Sequence, residues 1–461
     1  VWDSDGWDFE EWSGESPTTV IDSWHKVAGA YAGVSMAADA YRYLTLLREG
    51  AECAELERAR EFIRGDLDAL HLSQAITGVE GVVARGFARL TEPGSDYETT
   101  PLFDDEGSPL PAEKTNGTWR ADNSGEYPDY IWEDSCSRDM LIGWVLGLGA
   151  LWEVIRDDPN FDDSLRDRAR ADAMALARSL MTVQESGYDL EVRDADGRMT
   201  YHGIMHAESV DRVYVPGVRN GFNAVMSLGV IATLAYVTED PDVEAYLYDD
   251  LIDQRAFLRL INDDMIGLDL GNGSNHSGYN MAFEGGWLAM RYLRDPAARA
   301  EAARSVRDSM YDRGGDRQPV EMKQTFFDLT YTAAVTGESV FGPPTAVVDE
   351  GALQRGMETL EEWADAPYYD RPAENCDEAE VEARECTATD GSNIEVLGNV
   401  GRNGDLVAAD PIPMRIRGSS NYWWRSNPYK IDQGGQGGSL LPGSDYRWMY
   451  WTSRWLQRPI E

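Results

Sequence analysis

One short polar segment, residues 271–287, holds the side chains of this chain best suited to acid–base chemistry. Asn275, His276 and Tyr279 fall within five positions, in a sequence with only five histidines. Asn and His can hold an acidic group, and Tyr can transfer a proton. Glycines precede these residues and an apolar stretch follows them, which is the pattern of a loop leading into a buried helix. We therefore expect them where a helix begins at the edge of a binding pit.

Apolar residues recur at helical spacing through most of the chain, as Met140, Trp144, Leu148 and Leu151 do. Two alternating runs around Asp196-Gly197 predict a β-hairpin over residues 187–202. Residues 78–89 predict an extended segment, 91–130 a long loop and 366–430 an irregular region. Helices are predicted at residues 17–48, 52–76, 134–156, 164–185, 217–237, 243–261, 279–294, 297–311, 320–336, 351–363 and 444–456.

These helices fall mostly in consecutive pairs joined by short turns, which predicts an all-α fold. The expected architecture is an (α/α) toroid, a barrel of about six helix pairs with a small β-hairpin and long loops over a central pit. An open helical bundle is the alternative. We expect residues 1–16 to form an acidic tail. Residues 17–461 are then a single domain, with the loop-rich segment 366–443 packed on it.

The net charge of −41 disfavours nucleic acid and anionic membranes as partners, and no apolar run predicts a membrane span. Such acidity suits a marine or salt-rich setting, and equally an acidic soluble protein from any other setting. The charge is uneven, because seven basic and only three acidic residues fall between positions 411 and 461. Either neighbouring carboxylates pair with this basic segment or an anionic ligand does.

Four cysteines are present, at positions 53, 136, 376 and 386, and none forms a C-x-x-C metal pattern. Cys376 and Cys386 flank a very acidic loop, where a disulfide would hold together a self-repelling segment. Cys53 and Cys136 would be the second pair. Disulfides and a first residue other than Met predict an exported protein, secreted, extracellular or periplasmic. The oligomeric state is not predicted.

The segment Asn275-His276-Ser277-Gly278-Tyr279 resembles the Asn-His-Ser-Tyr motif of alginate lyases and related polysaccharide lyases with helical toroid folds. Ser274 stands where the family often has a second Asn, and Gly278 is inserted before the aromatic residue. The resemblance implies that Asn275 and His276 neutralise a uronate carboxylate, which acidifies the C5 proton. It also implies that an Arg assists while a Tyr acts as base and then as acid. The family's Tyr usually lies on a later helix, so the candidates here are Tyr279, Tyr331, Tyr422 and Tyr429.

An acidic polysaccharide or oligosaccharide is therefore the expected substrate, cleaved by β-elimination. Preorganised donors stabilise the charge of such a reaction, and nearby cations lower the pKa of a tyrosine base. The candidate catalytic residues are Asn275, His276, Tyr279, Arg138 and Asp139. The candidate substrate-binding residues are His202, Arg85, Arg417, Tyr422, Trp423 and Arg425.

Two other functions remain open. An inverting glycoside hydrolase needs two carboxylates about 6.5–9.5 Å apart, for which Asp139 and Glu284 are the best candidates. A secreted Trp-rich protein could instead bind glycan without cleaving it, or form part of a surface assembly.

No cofactor is expected, although surface carboxylates could bind calcium. His202 and His206 are four residues apart and could join His276 and Glu208 around a transition metal. A hairpin and Gly203 make a helix there doubtful, so no metal ligands are predicted. P-loop, Rossmann and G-x-S-x-G motifs are absent from the sequence.

Overall fold

The fold was analysed in a computed structural model. It describes residues 26–90, 98–263, 265, 271–314, 317–342, 349–364, 376, 378–388, 391–414, 417, 427–431 and 443–456. The predicted tail, residues 1–16, lies outside this part of the chain.

The described chain is mostly helical, as predicted, with a few small sheets. The helices are α1 (Gly29–Glu49), α2 (Cys53–Ala75), α3 (Arg138–Ile155), α4 (Asp163–Met181), α5 (Gly221–Thr238), α6 (Pro241–Ala245), α7 (Phe257–Asp263), α8 (His276–Tyr292), α9 (Pro296–Arg304), α10 (Thr325–Thr336), α11 (Glu350–Ala364), α12 (Glu378–Ala383) and α13 (Ser444–Leu456). Wider π-helical turns continue α6 over Tyr246–Gln254 and α9 over Ser305–Tyr311.

Six of these helices contact one another in a closed order. α1 packs on α3, α3 on α5, α5 on α8, α8 on α10, α10 on α13, and α13 returns to α1. The helices between them in the chain pack on this cycle, as α2 does on α1 and α4 on α5. α3 and α8, which are not neighbours in the cycle, also touch, so side chains of both meet inside it.

Glycines allow two of these helix pairs to approach closely. A Cβ added to Gly33 of α1 would lie 1.6 Å from the carbonyl oxygen of Gly143 in α3. Likewise, a Cβ on Gly229 of α5 would lie 2.4 Å from the carbonyl oxygen of Gly285 in α8. Real Cβ atoms do not come so close to backbone, so these crossings require glycine.

The sheets are short and lie beside the helix starts. β1 (Lys26–Ala28), β2 (Gly86–Arg89), β4 (Tyr130–Glu133) and β3 (Trp119–Ala121) form an antiparallel sheet in that order. β5 (Glu191–Arg193) and β6 (Met199–Ile204) form the predicted hairpin, and β7 (Ser209–Val210) pairs with β8 (Val213–Tyr214). β9 (Glu385–Thr387), β10 (Asn393–Gly398) and β11 (Val407–Ala408) form a three-stranded sheet with β10 in the middle.

Several predicted boundaries were wrong for local reasons. Residues 26–28 pair with β2, so the first described helix begins at Gly29. Ser135 has a φ of +63° and Asp134 accepts hydrogen bonds from Arg120, so α3 begins only at Arg138. A φ of +54° at Ala256 divides the helix predicted over 243–261. Likewise, Lys323 has a φ of +50°, and α10 begins after it.

The loop-rich segment also contains more order than the sequence predicted. β9, β10 and β11 bury Ile394 and Val396 in a small second hydrophobic cluster. Cys376 and Cys386 form the predicted disulfide beside it. The predicted pair of Cys53 and Cys136 is wrong, because both are free thiols; Cys53 is exposed at the start of α2, whereas Cys136 is buried before α3.

Thiol titration should distinguish these cysteines. Without reductant, the native protein should expose one reactive thiol, Cys53, because burial shields Cys136 and raises the pKa of its thiol. Denaturant should raise the count to two, and reduction to four. A count of zero in denaturant without reductant would show that Cys53 and Cys136 are paired after all.

One described helix, α5, is long and apolar enough to cross a bilayer by length and composition. However, 94% of its Gly221–Thr238 stretch is buried inside the protein, and buried core helices meet the same two criteria.

Candidate functional site

The start of α8 places the predicted Asn–His pair at a helix N-terminus. Asn275 is the N-cap residue, but its side chain makes no capping hydrogen bond, and the residue is half-buried. His276 is the first residue of the helix and is buried. Backbone N–H groups at a helix N-terminus face outward without partners in the helix, which favours negative charge there. This end of α8 is therefore electrostatically suited to an anionic group.

The surroundings of His276 keep its ring neutral. Burial is the largest cause, and the positive charges of Arg317 and Arg417 add to it, so that the pKa of His276 falls to about 3. A hydrogen bond with the backbone of Ser274 opposes this shift. Because that bond favours the protonated ring, the ring N–H must donate it to the carbonyl. The other ring nitrogen is then left as an acceptor at neutral pH.

Two tyrosines stand beside this histidine. The ring centroid of His276 lies 5.7 Å from that of Tyr279 and 6.3 Å from that of Tyr429. Burial raises the pKa of the Tyr429 hydroxyl above its ordinary value, and Arg317 and Arg417 partly oppose that effect. Tyr429 is therefore protonated at neutral pH.

Three arginines complete what we call the His276 cluster: His276, Tyr279, Tyr429, Arg313, Arg317 and Arg417. The guanidinium of Arg317 lies 4.0 Å from the ring centre of Tyr429, and Arg313 donates to the Tyr279 hydroxyl over 3.4 Å. Arg417 is 1% exposed and donates to the Ile412 and Met322 carbonyls. Such a concentration of cations in a chain of net charge −41 marks a local reversal of sign.

The cluster is assembled from distant parts of the chain. The start of α8 meets the segment between α9 and α10, which supplies Arg313 and Arg317, and the basic C-terminal segment, which supplies Arg417 and Tyr429. Arg417 and Tyr429 were candidates from the sequence, whereas Arg313 and Arg317 were not. Their only signal was a pair of arginines in a Gly-rich turn between two helices. Arg317 has a φ of +61°, a conformation that residues other than glycine rarely adopt.

Other predicted site residues lie elsewhere. Arg138, at the start of α3, donates to the Ile204 and Asp211 carbonyls, and its guanidinium lies 3.8 Å from the Asp211 carboxylate. His202, in β6, lies 3.1 Å from the same carboxylate. The structure therefore brings Arg138 and His202 together through Asp211, at the β7–β8 turn.

Arg85 makes hydrogen bonds and an ion pair with neighbouring residues of the protein. Its guanidinium donates to the side chains of Asn116 and Ser137 and lies 3.9 Å from Glu133, where it ties β2 to the start of α3. The predicted substrate-binding residues Tyr422, Trp423 and Arg425 lie outside the described residues.

A second polar feature lies deeper on α8. His276, Asn280 and Glu284 recur every four residues and so share one face of the helix. Glu284 is fully buried, and among the residues that the structure describes neither of its carboxyl oxygens has a hydrogen-bond partner. Burial raises the pKa of Glu284 well above its ordinary value, and the charge of Asp139 from α3 raises it further. Burial thus favours the neutral carboxylic acid form of Glu284 inside the helix cycle.

Glu284→Gln should therefore be tolerated, and increasingly so as pH rises. The unfolded chain releases the Glu284 proton near the ordinary value of 4.5, whereas the folded chain keeps it. As pH rises above 4.5, ionisation of Glu284 stabilises the unfolded chain but not the folded one, so the free energy of unfolding of the wild type falls. Gln cannot ionise, so the variant does not lose this stability. The difference in Tm, variant minus wild type, should grow between pH 5 and pH 8. A constant or falling difference would show that Glu284 is ionised in the fold.

Glu153→Gln is the matched contrast, because the Glu153 side chain is 6% exposed but has the opposite environment. Glu153 binds Arg291 through two hydrogen bonds of 2.5 Å. Removing its charge leaves the buried Arg291 guanidinium undercompensated, which should cost about 3 kcal/mol or more.

The metal hypothesis gains no support from the geometry. Within the described part of the chain, no group of three or more His, Cys, Asp or Glu side chains is arranged to hold a metal ion. His206 instead accepts a hydrogen bond at Nδ1 from the Glu208 backbone, and its Nε2 lies 3.9 Å from Asp189.

Comparisons with known proteins add little to this picture. The sequence matches no protein-family model and no curated protein. A solved structure described as a sugar epimerase from a ruminal bacterium is similar over 95% of this chain and 89% of that chain, with 13% identity and a TM-score of 0.40. At that TM-score the likeness supports no inference about fold or function.

Proposed function

We propose that the protein is a carbohydrate-active enzyme, a polysaccharide lyase that cleaves a uronate-containing glycan by β-elimination at the His276 cluster. The observation that carries this proposal is the meeting of a neutral histidine, two tyrosines and three arginines at the N-terminus of α8. We also infer that the six contacting helices are the inner ring of an (α/α) toroid.

The uronate carboxyl would lie at the positive end of α8. Arg317 and Arg417 supply charge, while the Asn275 amide can donate a hydrogen bond to the carboxyl. The free ring nitrogen of His276 can accept a hydrogen bond from the carboxyl in its protonated form. A carboxyl neutralised in this way makes the neighbouring C5 proton more acidic, because the enolate-like charge that develops is already matched by donors.

The two tyrosines divide the proton transfers. Tyr279, whose hydroxyl oxygen accepts a 3.4 Å hydrogen bond from Arg313, takes the C5 proton in its tyrosinate form. The electrons of the C5–H bond form the C4–C5 double bond as the bond from C4 to the glycosidic oxygen breaks. Tyr429, protonated in its buried site, donates its proton to the departing oxygen. Both tyrosines are buried, so a sugar can reach their hydroxyl groups only if neighbouring segments of the protein move aside.

Export to an oxidising compartment is part of the proposal. The Cys376–Cys386 disulfide supports it, since such bonds persist mainly outside the reducing cytosol. Whether elimination occurs is tested by incubation with polyuronates, where each cleavage should create an unsaturated end that absorbs ultraviolet light.

The Asp139–Glu284 pair favours a second candidate, an inverting glycoside hydrolase. Glu284 is a neutral acid that could protonate a leaving oxygen, and Asp139 is a carboxylate that could activate water. Hydrolysis would release reducing ends without new ultraviolet absorbance and would be lost in Glu284→Gln. Under the lyase proposal, that variant keeps its elimination activity.

A further inference from the structure

A polar cavity of about 470 Å³ lies apart from the His276 cluster. Four segments form its walls: residues 183–189 after α4, residues 206–208 after β6, Arg219 before α5, and residues 254–257 where the π-helical turn that follows α6 meets α7. Tyr188, Asp189, His206, Glu208, Arg219 and Arg255 supply its polar and aromatic lining. None of these residues belongs to the His276 cluster, and a volume of this size is within the range of small-molecule sites.

Internal contacts hold the aromatic wall in place. The ring of Tyr188 stacks on that of Tyr214, with ring centroids 3.8 Å apart. It also makes an edge-to-face contact with the His206 ring, with ring centroids 4.8 Å apart. Tyr214 is anchored by a 2.9 Å hydrogen bond from its hydroxyl to Glu191. A fixed aromatic ring of this kind offers a flat apolar surface at little cost in conformational entropy.

The charges of the cavity are balanced. Asp189 is buried and accepts hydrogen bonds from both terminal nitrogens of Arg255 and from the Tyr246 hydroxyl. Burial and the charge of Arg255 lower the pKa of His206, so its ring adds no charge at neutral pH. Glu208 and Arg219 remain, one negative and one positive. A net anionic or cationic ligand would therefore meet a like charge as well as an opposite one.

The cavity lining contains both hydrogen-bond donors and an acceptor that could bind a ligand. One terminal nitrogen of Arg219 donates to the Arg255 carbonyl, and no described residue accepts from its other N–H groups. Within the described part of the chain, no hydrogen bond or ion pair takes up the Glu208 carboxylate. The Glu208 backbone N–H donates to Nδ1 of His206, so in the neutral ring Nε2 carries the hydrogen. The cavity thus presents donors, an acceptor and an aromatic face together.

We propose that this cavity binds a neutral sugar of one or two units. Sugar hydroxyls donate and accept at once, so neighbouring hydroxyls can bridge the Glu208 carboxylate and the Arg219 guanidinium. The apolar face of a pyranose can pack against the Tyr188 ring. This specificity differs from that of the His276 cluster, whose excess of cations suits a uronate.

Saturation-transfer NMR and calorimetry with neutral mono- and disaccharides test this site. The panel would contain glucose, galactose, mannose, xylose, cellobiose, maltose and lactose, with glucuronate as the charged comparison. At least one neutral sugar should bind the wild-type protein more tightly than glucuronate does. Glu208→Gln and Arg219→Gln should each weaken that binding about tenfold or more. Arg212→Gln, a nearby arginine outside the cavity lining, and His276→Gln should leave it unchanged.

Three outcomes would overturn the proposal: no binding at millimolar concentrations of any neutral sugar, preference for glucuronate, or binding that survives both cavity substitutions. Melting temperatures of the variants accompany the titrations. If Arg219→Gln fails to fold, Glu208→Gln decides the question, since the Glu208 carboxylate has no hydrogen-bond partner within the described chain to lose. Binding lost in His276→Gln but kept in both cavity variants would move the sugar to the His276 cluster.

Discussion

His276→Gln should lower elimination activity by about a hundredfold or more while leaving the fold intact. In the neutral ring, one nitrogen donates to the Ser274 backbone and the other is an acceptor that can meet the substrate carboxyl. Gln has similar volume but cannot reproduce both hydrogen bonds in that geometry. Ala is a poorer test, because His276 is buried and its loss would leave a cavity among the tyrosine rings. The measurement is the initial rate of ultraviolet absorbance on a polyuronate, together with the Tm.

His71→Gln is the control for this substitution. His71 lies on α2, where its ring contacts Asp172 at 3.0 Å, in a partly exposed pair that shares no residue with the His276 cluster. Its loss should change stability by less than about 1 kcal/mol and leave the rate unchanged. Equal rates in His276→Gln and wild type would remove His276 from the reaction.

Gly33→Ala should destabilise the fold by about 3 kcal/mol or more. The added methyl group would lie 1.6 Å from the Gly143 carbonyl oxygen, so α1 and α3 would have to move apart along their contact. Neither wall of this contact is a side chain that can rotate away, because backbone faces backbone. We expect a clear fall in Tm and in the yield of folded protein.

Gly65→Ala is the matched control, a glycine inside an exposed part of α2. No atom lies within 4 Å of its added Cβ, so the substitution meets no clash. Alanine should stabilise α2 by about 0.5–1 kcal/mol, because it restricts the unfolded chain and favours helix. If Gly33→Ala melted at the same temperature as Gly65→Ala, the close α1–α3 crossing would be incorrect.

Features with a local origin could be predicted from the sequence. The helical spacing of Met140, Trp144 and Leu148 predicted α3 and their burial, although the structure buries this helix on almost every side and not along one stripe. The Asp196-Gly197 turn likewise identifies the β5–β6 hairpin. The disulfide at Cys376 was predictable because its partner is only ten residues away.

Features that depend on distant contacts could not be predicted. β1, β2 and β3 are three or four residues long, too short for an alternating pattern to be recognised. The predicted bond between Cys53 and Cys136 depended only on the even number of cysteines in the chain, and the fold leaves both thiols free. The arginines of the His276 cluster become informative only once the fold brings residues 313–317 and 417 beside α8.

The central claim is most directly tested by incubating the protein with a panel of polyuronates and glycosaminoglycans. Both ultraviolet absorbance and reducing ends would be recorded, with carboxyl-reduced versions of the same glycans as controls. The account predicts that both signals rise together on at least one uronate glycan and that neither rises on its carboxyl-reduced form. Reducing ends without absorbance, or no change on any glycan, would contradict elimination at the His276 cluster.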